Sequence, residues 1–472
     1  MSEILVVDLD HTLVKSDLLF ETFWSAFGQD WRCPFRAALA LGQSKAALKR
    51  YLAEAADVDI TLLPYDAEVI NYIRSWRETG GRIALVTASD NKIAQDIAAH
   101  LQLFDEVYGS EGTENLKGAR KAKFLVDTYG DKQFAYMGDS QADLAVWKHA
   151  KRAITVNLSS KMRARTEQVA NEVEHLTTHT IRKGAYLKAI RPHQWMKNIL
   201  VFVPMLAAHE ITGTAVLASL LAFCSFSLIA SSVYVLNDLL DLDADRAHPR
   251  KCIRPFAAGS IPLASGVWMA GGLLGSGALI AAFLGPYFFA VMVGYYVLTT
   301  GYSLDLKRRI VVDICVLAGL YTVRIVAGGV AAAIPLSVWL LAFSIFFFLS
   351  LAAVKRQAEL VDNVKQGKLK ASGRGYHVDD LPIISIVSIS AGYVAVLVMA
   401  LYVNSPAVMQ LYAHPEALWG VCAILLYWIT RTVMITHRGW MHDDPVVFAA
   451  KDRISQFCFA IIAVFVIAGA VL

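Results

Sequence analysis

The sequence predicts a two-part chain. An N-terminal α/β domain of the doubly wound, Rossmann-like kind, with a small helical cap, is followed by an all-α polytopic membrane domain of about nine spans. Three observations lead there. The composition is 56% hydrophobic and only 18% charged, with a mean hydropathy of +0.46, above the range of soluble chains. The apolar residues are unevenly spread: residues 1 to about 190 of the 472 are mixed in polarity, whereas apolar stretches recur from Ile199 onward. In the first part, short apolar runs end in acidic or hydroxyl residues and alternate with helix-like segments. The divisions read as 1–156 for the α/β domain (cap about 18–62), 157–190 for a juxtamembrane linker, and 191–472 for the membrane domain.

The elements follow in order. "ILVV" before Asp8 suits a buried parallel strand, and "RIALVTASD" and "QFAYMGDSQAD" repeat the pattern. "AEVINYIRSW" and "KIAQDIAAHLQLF" are the intervening helices. In such a sheet ligands bind at the carboxyl ends of the strands, which collects Asp8, Asp10, Thr12, Thr87, Asp139 and Asp143. That collection suits phosphoryl transfer. Carboxylates repel a phosphate unless Mg²⁺ stands between them. One carboxylate can attack phosphorus, and another two residues along points the same way and can move protons. The net charge of +4 is too small to imply a nucleic-acid partner, and six cysteines without a C-x-x-C pair favour a reducing compartment and no zinc ribbon. The start "MSEILVVDLDHTL" lacks the basic opening and long apolar run of a signal peptide.

In the second part, spans are expected near 196–211, 214–237, 262–283, 285–302, 311–333, 335–354, 382–403, 416–437 and 453–471. Alternate connections carry the cations: Arg246, Arg250, Lys251 and Arg254; Lys307, Arg308 and Arg309; Lys355, Arg356, Lys365, Lys368, Lys370 and Arg374; Arg438, Lys451 and Arg453. The opposite connections, such as "HEITG" and "NSPAVMQLYAHPE", carry no Lys or Arg. The positive-inside bias therefore places the α/β domain and the basic loops on the cytoplasmic side of the cell (inner) membrane, with the C-terminus outside. The linker's "RKGAYLKAIRPHQWMK" suits a surface-lying segment or a solvated one.

The stretch "NDLLDLDADRAHPRKCIRP" ends the second expected span. At helical pitch Asn237, Asp241 and Asp245 follow one face with Asp238 beside them, a stacking of like charge that calls for a cation. Oxygen-only ligands suit Mg²⁺ holding a diphosphate. Deeper in a span, Arg324 of "GLYTVRIVAGG" must pair with a carboxylate or a substrate anion. "YSLDLKRRIVVD" contributes Tyr302, Lys307 and Asp313, "LAAVKRQAEL" contributes Lys355 and Arg356, and "RPHQWMKN" contributes Arg191 and Lys197.

Both parts resemble known families. "DLDHTL", "LVTAS" and "GDSQAD" resemble the three motifs of the haloacid dehalogenase-like (HAD) phosphatases over residues 3–155. The resemblance implies Asp8 as nucleophile, Asp10 as acid/base, Thr87 as a phosphate contact, and Asp139 with Asp143 as Mg²⁺ ligands, completed by Asp8 and Asp10. Lys121 in "GARKAKFL" best fits the family's lysine, with Lys117 and Lys123 as alternatives; His11 stands where glycine is usual. Residues 188–472 resemble the UbiA superfamily of membrane prenyltransferases, through "NDLLDLDAD". The second motif departs from the family's D-x-x-x-D form, because Asp305 is followed by Arg309 where an acid is usual. "RPHQWMKN", "YSLDLKRRIVVDICVLAG", "RIVAGG" and "KRQAEL" resemble the polyprenyl-phosphate phosphoribosyltransferase branch. That likeness implies phosphoribosyl pyrophosphate as donor on Asn237, Asp241 and Asp245 with Mg²⁺ and Asp238. It implies a polyprenyl phosphate acceptor on Lys307, Arg324 and Lys197, and Lys251 or Arg254 on the leaving group. Such an enzyme is bifunctional if the phosphatase then removes the ribose 5-phosphate. The competing readings are an aromatic prenyltransferase with an unrelated phosphatase, against which the basic second motif counts, and a transport or lipid-binding module with a regulatory HAD domain.

Overall fold

In the computed structural model, residues 3–110, 115–178, 183–369, 374–441 and 444–471 are described; Lys370, one of the expected loop cations, lies outside them. The chain divides into two compact units, Met1–Arg191 with Tyr234–Gly271, and Pro192–Val233 with Gly272–Leu472.

The first unit is built on a six-stranded parallel sheet of order β3-β2-β1-β4-β5-β6. Its strands are β1 Ile4–Val7, β2 Arg82–Asp90, β3 Glu106–Ser110, β4 Phe134–Gly138, β5 Arg152–Val156 and β6 Glu172–Leu176. The four residues of β1 are all buried, as a central parallel strand covered on both faces requires. Alternate residues go to the two faces: Leu5, Val7 and Leu85 enter one core with Ile97 and Ile154, while Val6, Val86 and Tyr136 enter the other with Leu125 and Trp147. Helices Leu18–Gln29, Cys33–Gln43 and Lys45–Ala55 follow β1 and enclose a small core of their own around Ala26, Cys33, Ala37 and Leu52.

One boundary needs correction. The linker expected from 157 instead begins with helix Ser160–Val169 and β6, which pairs with β5 from Arg152↔Glu172 to Val156↔Leu176. Edge position explains why the pattern was missed. "EVEHL" has no fully buried residue, so it lacks the apolar run that marks the central strands.

Among the described residues, seven helices are long and apolar enough to cross a bilayer: Gly213–Leu240, Leu263–Phe283, Val312–Ala331, Val338–Lys365, Val378–Val403, Pro415–His437 and Arg453–Ala470. Two of the expected spans look different. Pro286–Leu304 is a helix of 19 residues, but Tyr287, Tyr295, Tyr296 and Tyr302 lower its hydropathy. The segment expected at 196–211 is a 3-10 run, Pro192–Phe202, followed by the short helix Val203–Ala207. The core of the second unit joins Tyr321, Ile325, Phe348, Leu351, Trp428 and Ile429. Two of its buried polar pairs bind within the core: Trp428 donates to Ser455 Oγ at 2.9 Å, and Ser350 to the Ser388 carbonyl at 2.6 Å, which spares them the cost of an unpaired group in a non-aqueous surround.

Candidate active sites

The α/β site is assembled by the strand ends. Parallel register aligns Val7 with Leu85 of β2 and with Met137 of β4, so the residues that follow them emerge along one edge. The Asp8 N–H donates to the Met137 carbonyl at 3.0 Å. Asp8 Oδ1 takes the Leu9 N–H at 2.8 Å and lies 2.9 Å from Lys121 Nζ. Lys121, on helix Ala119–Tyr129, is 2% exposed, whereas Lys117 and Lys123 are exposed. Asp10 accepts the Leu18 N–H at 2.8 Å and the Ser89 hydroxyl at 2.6 Å. Thr87 is fully buried and accepts the Ser89 N–H at 3.0 Å. Asp143 accepts from Tyr136 Oη at 2.8 Å and from the Ser140 N–H at 2.9 Å. His11 takes φ 55°, the left-handed region in which glycine has no side-chain penalty.

Electrostatics test the metal. Asp8, Asp139 and Asp143 each offer an oxygen, all within 4.8 Å of one another. Burial pushes Asp8 up to about 6, with Lys121 pulling it down and Asp143 and Asp10 pushing it up further. Asp139 is raised well above the carboxylate range, by burial first and then by Asp8 and Asp143. Carboxylates this crowded favour a hard divalent cation, and an all-oxygen set fits Mg²⁺. Sequence reasoning missed one cation here: cap residue Lys49 reaches the Ala88 carbonyl at 2.5 Å and Asn115 Oδ1 at 3.3 Å.

The acidic stretch closes the first unit. Helix Gly213–Leu240 ends just before Asp241, which opens the short helix Leu242–Ala247. The turn-to-turn bonds survive the break, Asp241 N–H to the Asn237 carbonyl at 2.9 Å and Asp245 N–H to the Asp241 carbonyl at 2.8 Å. Asn237 and Asp241 stay half-buried. Cations gather on the other acids: Arg191 pairs with Asp238, and Arg254 bridges Asp238 at 3.1 Å and Asp245 at 2.5 Å. Lys251 lies 3.9 Å from Asp245. Asn237, Asp241 and Asp245 thus follow one another along the chain, but among the described residues the group of three acids at metal-binding spacing is the one at Asp8. An unforeseen pair ties this stretch to the cap helix: Arg246 grips Glu21 through both nitrogens, at 2.6 and 3.0 Å, with the side chains 4% and 2% exposed. Nearby, Gly259 has φ +65°, and a Cβ on it would sit 2.9 Å from Lys15 Cβ.

The second unit holds the basic residues. Arg324 donates to Asn198 Oδ1 at 2.9 Å and to the Leu320 carbonyl, and lies over the rings of Phe226, Tyr295 and Tyr321. No carboxylate is ion-paired with it among the described residues. Lys197 and Lys355 converge on Asp444, at 2.9 and 3.0 Å; Asp444 has no counterpart among the residues read from sequence. Asp313 is buried among Arg356 at 2.6 Å, Arg374 at 3.1 Å and Tyr302 Oη at 2.7 Å, with Glu359 on both arginines. Tyr302, Asp313 and Arg356 therefore hold one another, an arrangement that braces the 305–311 connection. Lys307 sits half-buried on the 3-10 turn Leu306–Arg308. Asp305 and Arg309 form an exposed pair at 2.8 Å.

The model of the UbiA prenyltransferase family matches residues 198–451, and that of haloacid dehalogenase-like hydrolases matches residues 5–148. The chain is 37% identical over 464 residues to the uncharacterized protein y4nM of Sinorhizobium fredii, covering 97% of this chain and 89% of that one. It is 40% identical over 273 residues to the nodulation protein NoeC of Azorhizobium caulinodans, covering 58% of this chain and 89% of NoeC. It is 34% identical over 281 residues to the decaprenyl-phosphate phosphoribosyltransferase of Mycolicibacterium smegmatis, covering 58% of this chain and 88% of that enzyme. Half of the chain or more lies in the first match, so the protein is a member of the UbiA prenyltransferase family that carries an N-terminal HAD-like domain.

Proposed function

We propose that the chain is a bifunctional membrane enzyme. Its UbiA part transfers 5-phosphoribosyl from phosphoribosyl pyrophosphate to a polyprenyl phosphate, and its HAD part removes the 5-phosphate from the lipid-linked product. The observation that carries this reading is the cation set around Tyr321. Lys197 and Arg324 both lie 5.6 Å from that ring, and Lys355 meets Lys197 at Asp444. Cations in place of a second acidic motif suit an acceptor that brings its own phosphate. The M. smegmatis relative, named for that transfer, supports the donor.

In the transferase, Asn237, Asp241 and Asp245 would hold Mg²⁺, supported by Asp238, and the metal would supply charge to the departing diphosphate. Lys197, Arg324 and Lys307 orient the acceptor phosphate. One of its oxygens attacks ribose C1 as the C1–O bond to pyrophosphate breaks, and Lys251 and Arg254 neutralise the leaving group. In the phosphatase, Asp139 and Asp143 with Asp8 would hold Mg²⁺. Asp8 attacks phosphorus while Asp10 gives its proton to the leaving ribose oxygen, then takes one from the water that frees phosphate. Lys121 and Thr87 steady the phosphoryl oxygens. We further propose nine crossings, with Pro286–Leu304 and the Pro192–Ala207 segment added to the seven helices, and both sites on the cytoplasmic side of the inner membrane.

The test uses membranes with the purified chain, phosphoribosyl pyrophosphate labelled in ribose, a polyprenyl phosphate and Mg²⁺. Asp241→Asn should abolish label in lipid and leave hydrolysis of a soluble phosphate ester intact. Asp8→Asn should do the reverse and leave a lipid product that retains its terminal phosphate. Loss of both activities in both variants refutes the division of labour.

A further inference from the structure

We propose that Asp444 is a placeholder anion: its carboxylate occupies the point at which Lys197 and Lys355 take one oxygen of a phosphate, and it withdraws when that phosphate arrives. The inference rests on the transferase reading above and adds a residue to it. Both ammonium nitrogens address the same atom, Asp444 Oδ2, at 2.9 and 3.0 Å. The lysines come from different elements, the Pro192–Phe202 run and the Val338–Lys365 helix. No local constraint makes them meet, so their convergence belongs to the tertiary structure. A carboxylate and a phosphate oxygen have the same charge-assisted geometry toward an ammonium group, and one point between two lysines admits only one of them.

Apart from the two lysines, the placeholder has two further bonds among the described residues. Its other oxygen takes the Val446 N–H at 3.1 Å and Tyr321 Oη at 3.4 Å, and it opens a helix of seven residues, Pro445–Lys451. The lysines are anchored on longer elements. Charge also points to a further anion. Among the described residues, Lys197, Lys355 and Arg324 set three positive charges against one carboxylate, an excess of two. A phosphate monoester carries about −1.5 to −2 at neutral pH. Glu359, one turn beyond Lys355, is engaged by Arg356 and Arg374 and is not drawn on. On the transferase reading this phosphate is the prenyl acceptor's; the 5-phosphate of the ribosyl donor offers the lysines the same chemistry and is the alternative source that the test separates.

Two probes separate these sources: geranyl phosphate and ribose 5-phosphate, each titrated against the thermal unfolding of the detergent-solubilised full chain. Asp444→Asn should lower the concentration for half-maximal stabilisation by about fivefold or more for one probe, since the competing state is removed. The probe that responds names the phosphate. Asp444→Glu, which keeps the charge, should stay within about twofold of the native chain. Lys355→Met added to Asp444→Asn should erase the gain. An unchanged or raised concentration for both probes in Asp444→Asn overturns the proposal, because Asp444 would then merely orient the lysines. Should Asp444→Asn not fold, Asp444→Ser carries the same two outcomes. The transferase reading fails separately. A gain in probe affinity with no label transferred to lipid removes that reading and leaves the placeholder, and transfer without a gain does the opposite.

Discussion

Lys121 reaches Asp8 from a helix that also offers Lys117 just before it and Lys123 within it, and only its burial sets it apart. With Tyr136 Oη at 3.0 Å as its second partner, its ammonium is fixed beside the nucleophile. We expect Lys121→Met to slow soluble-ester hydrolysis by about 10²–10³ while lipid labelling stays at the native level; an equal fall in both assays contradicts separate sites. Asp243 offers a test of sign. Burial raises its carboxyl to about 6, with Arg246 opposing and Glu21 adding to the rise. A raised carboxyl binds more protons in the folded chain than in the unfolded one, so its penalty is absent below the ordinary value of 3.8, grows as pH rises, and is complete above about 6. Asp243→Asn should therefore raise the melting temperature at pH 7.5, and the gain should shrink steadily toward pH 4. A gain independent of pH would point to packing instead. The placing of Asp8, Asp10 and Asp139 was legible because each follows a strand, where a short apolar run announces it. Which of three neighbouring lysines turns inward was not legible, since that depends on the sheet beneath them.

Helix Leu18–Gln29 faces two ways. Its first N–H serves Asp10, and one turn on Glu21 meets Arg246 of the Leu242–Ala247 helix. The two partners are 225 residues apart in the chain, which is why no local pattern paired them: Glu21 reads as one more helix former and Arg246 as one more loop cation. Removing one partner of a buried pair leaves the other uncompensated and costs about 3–5 kcal/mol. Glu21→Gln should lose roughly that much stability by denaturant or thermal unfolding, and Glu21→Leu with Arg246→Leu together should recover most of it. If the single substitution costs under about 1 kcal/mol, the pair is solvated and holds nothing. Other elements show the same division between local and tertiary information. The apolar helices declared themselves by length, whereas β6 lies at an edge and Pro286–Leu304 is diluted by tyrosine. Asp444 escaped notice because a lone aspartate before proline reads as a helix cap, which it also is.

At the scale of the whole chain, the distribution of charge makes the strongest claim. The cations cluster in alternate connections, and both acidic sites belong to segments on the same side as those cations if the positive-inside bias holds. The donor we propose is a soluble, multiply charged phosphate that does not cross a bilayer, so its side of entry reports the orientation directly. Sealed inside-out vesicles given external phosphoribosyl pyrophosphate should place label in lipid and release inorganic phosphate, while sealed right-side-out vesicles should do neither until they are permeabilised. Chelation of Mg²⁺ outside the inside-out vesicles should stop both steps, and added Mg²⁺ should restore them, because the crowded carboxylates at Asp8, Asp139 and Asp143, like the acids proposed to hold the donor's diphosphate, repel a phosphate unless a cation stands between them. Labelling that is equal in the two vesicle orientations would break the topology. Labelling without phosphate release in native vesicles would leave the transferase in place and send the phosphatase to some other ester.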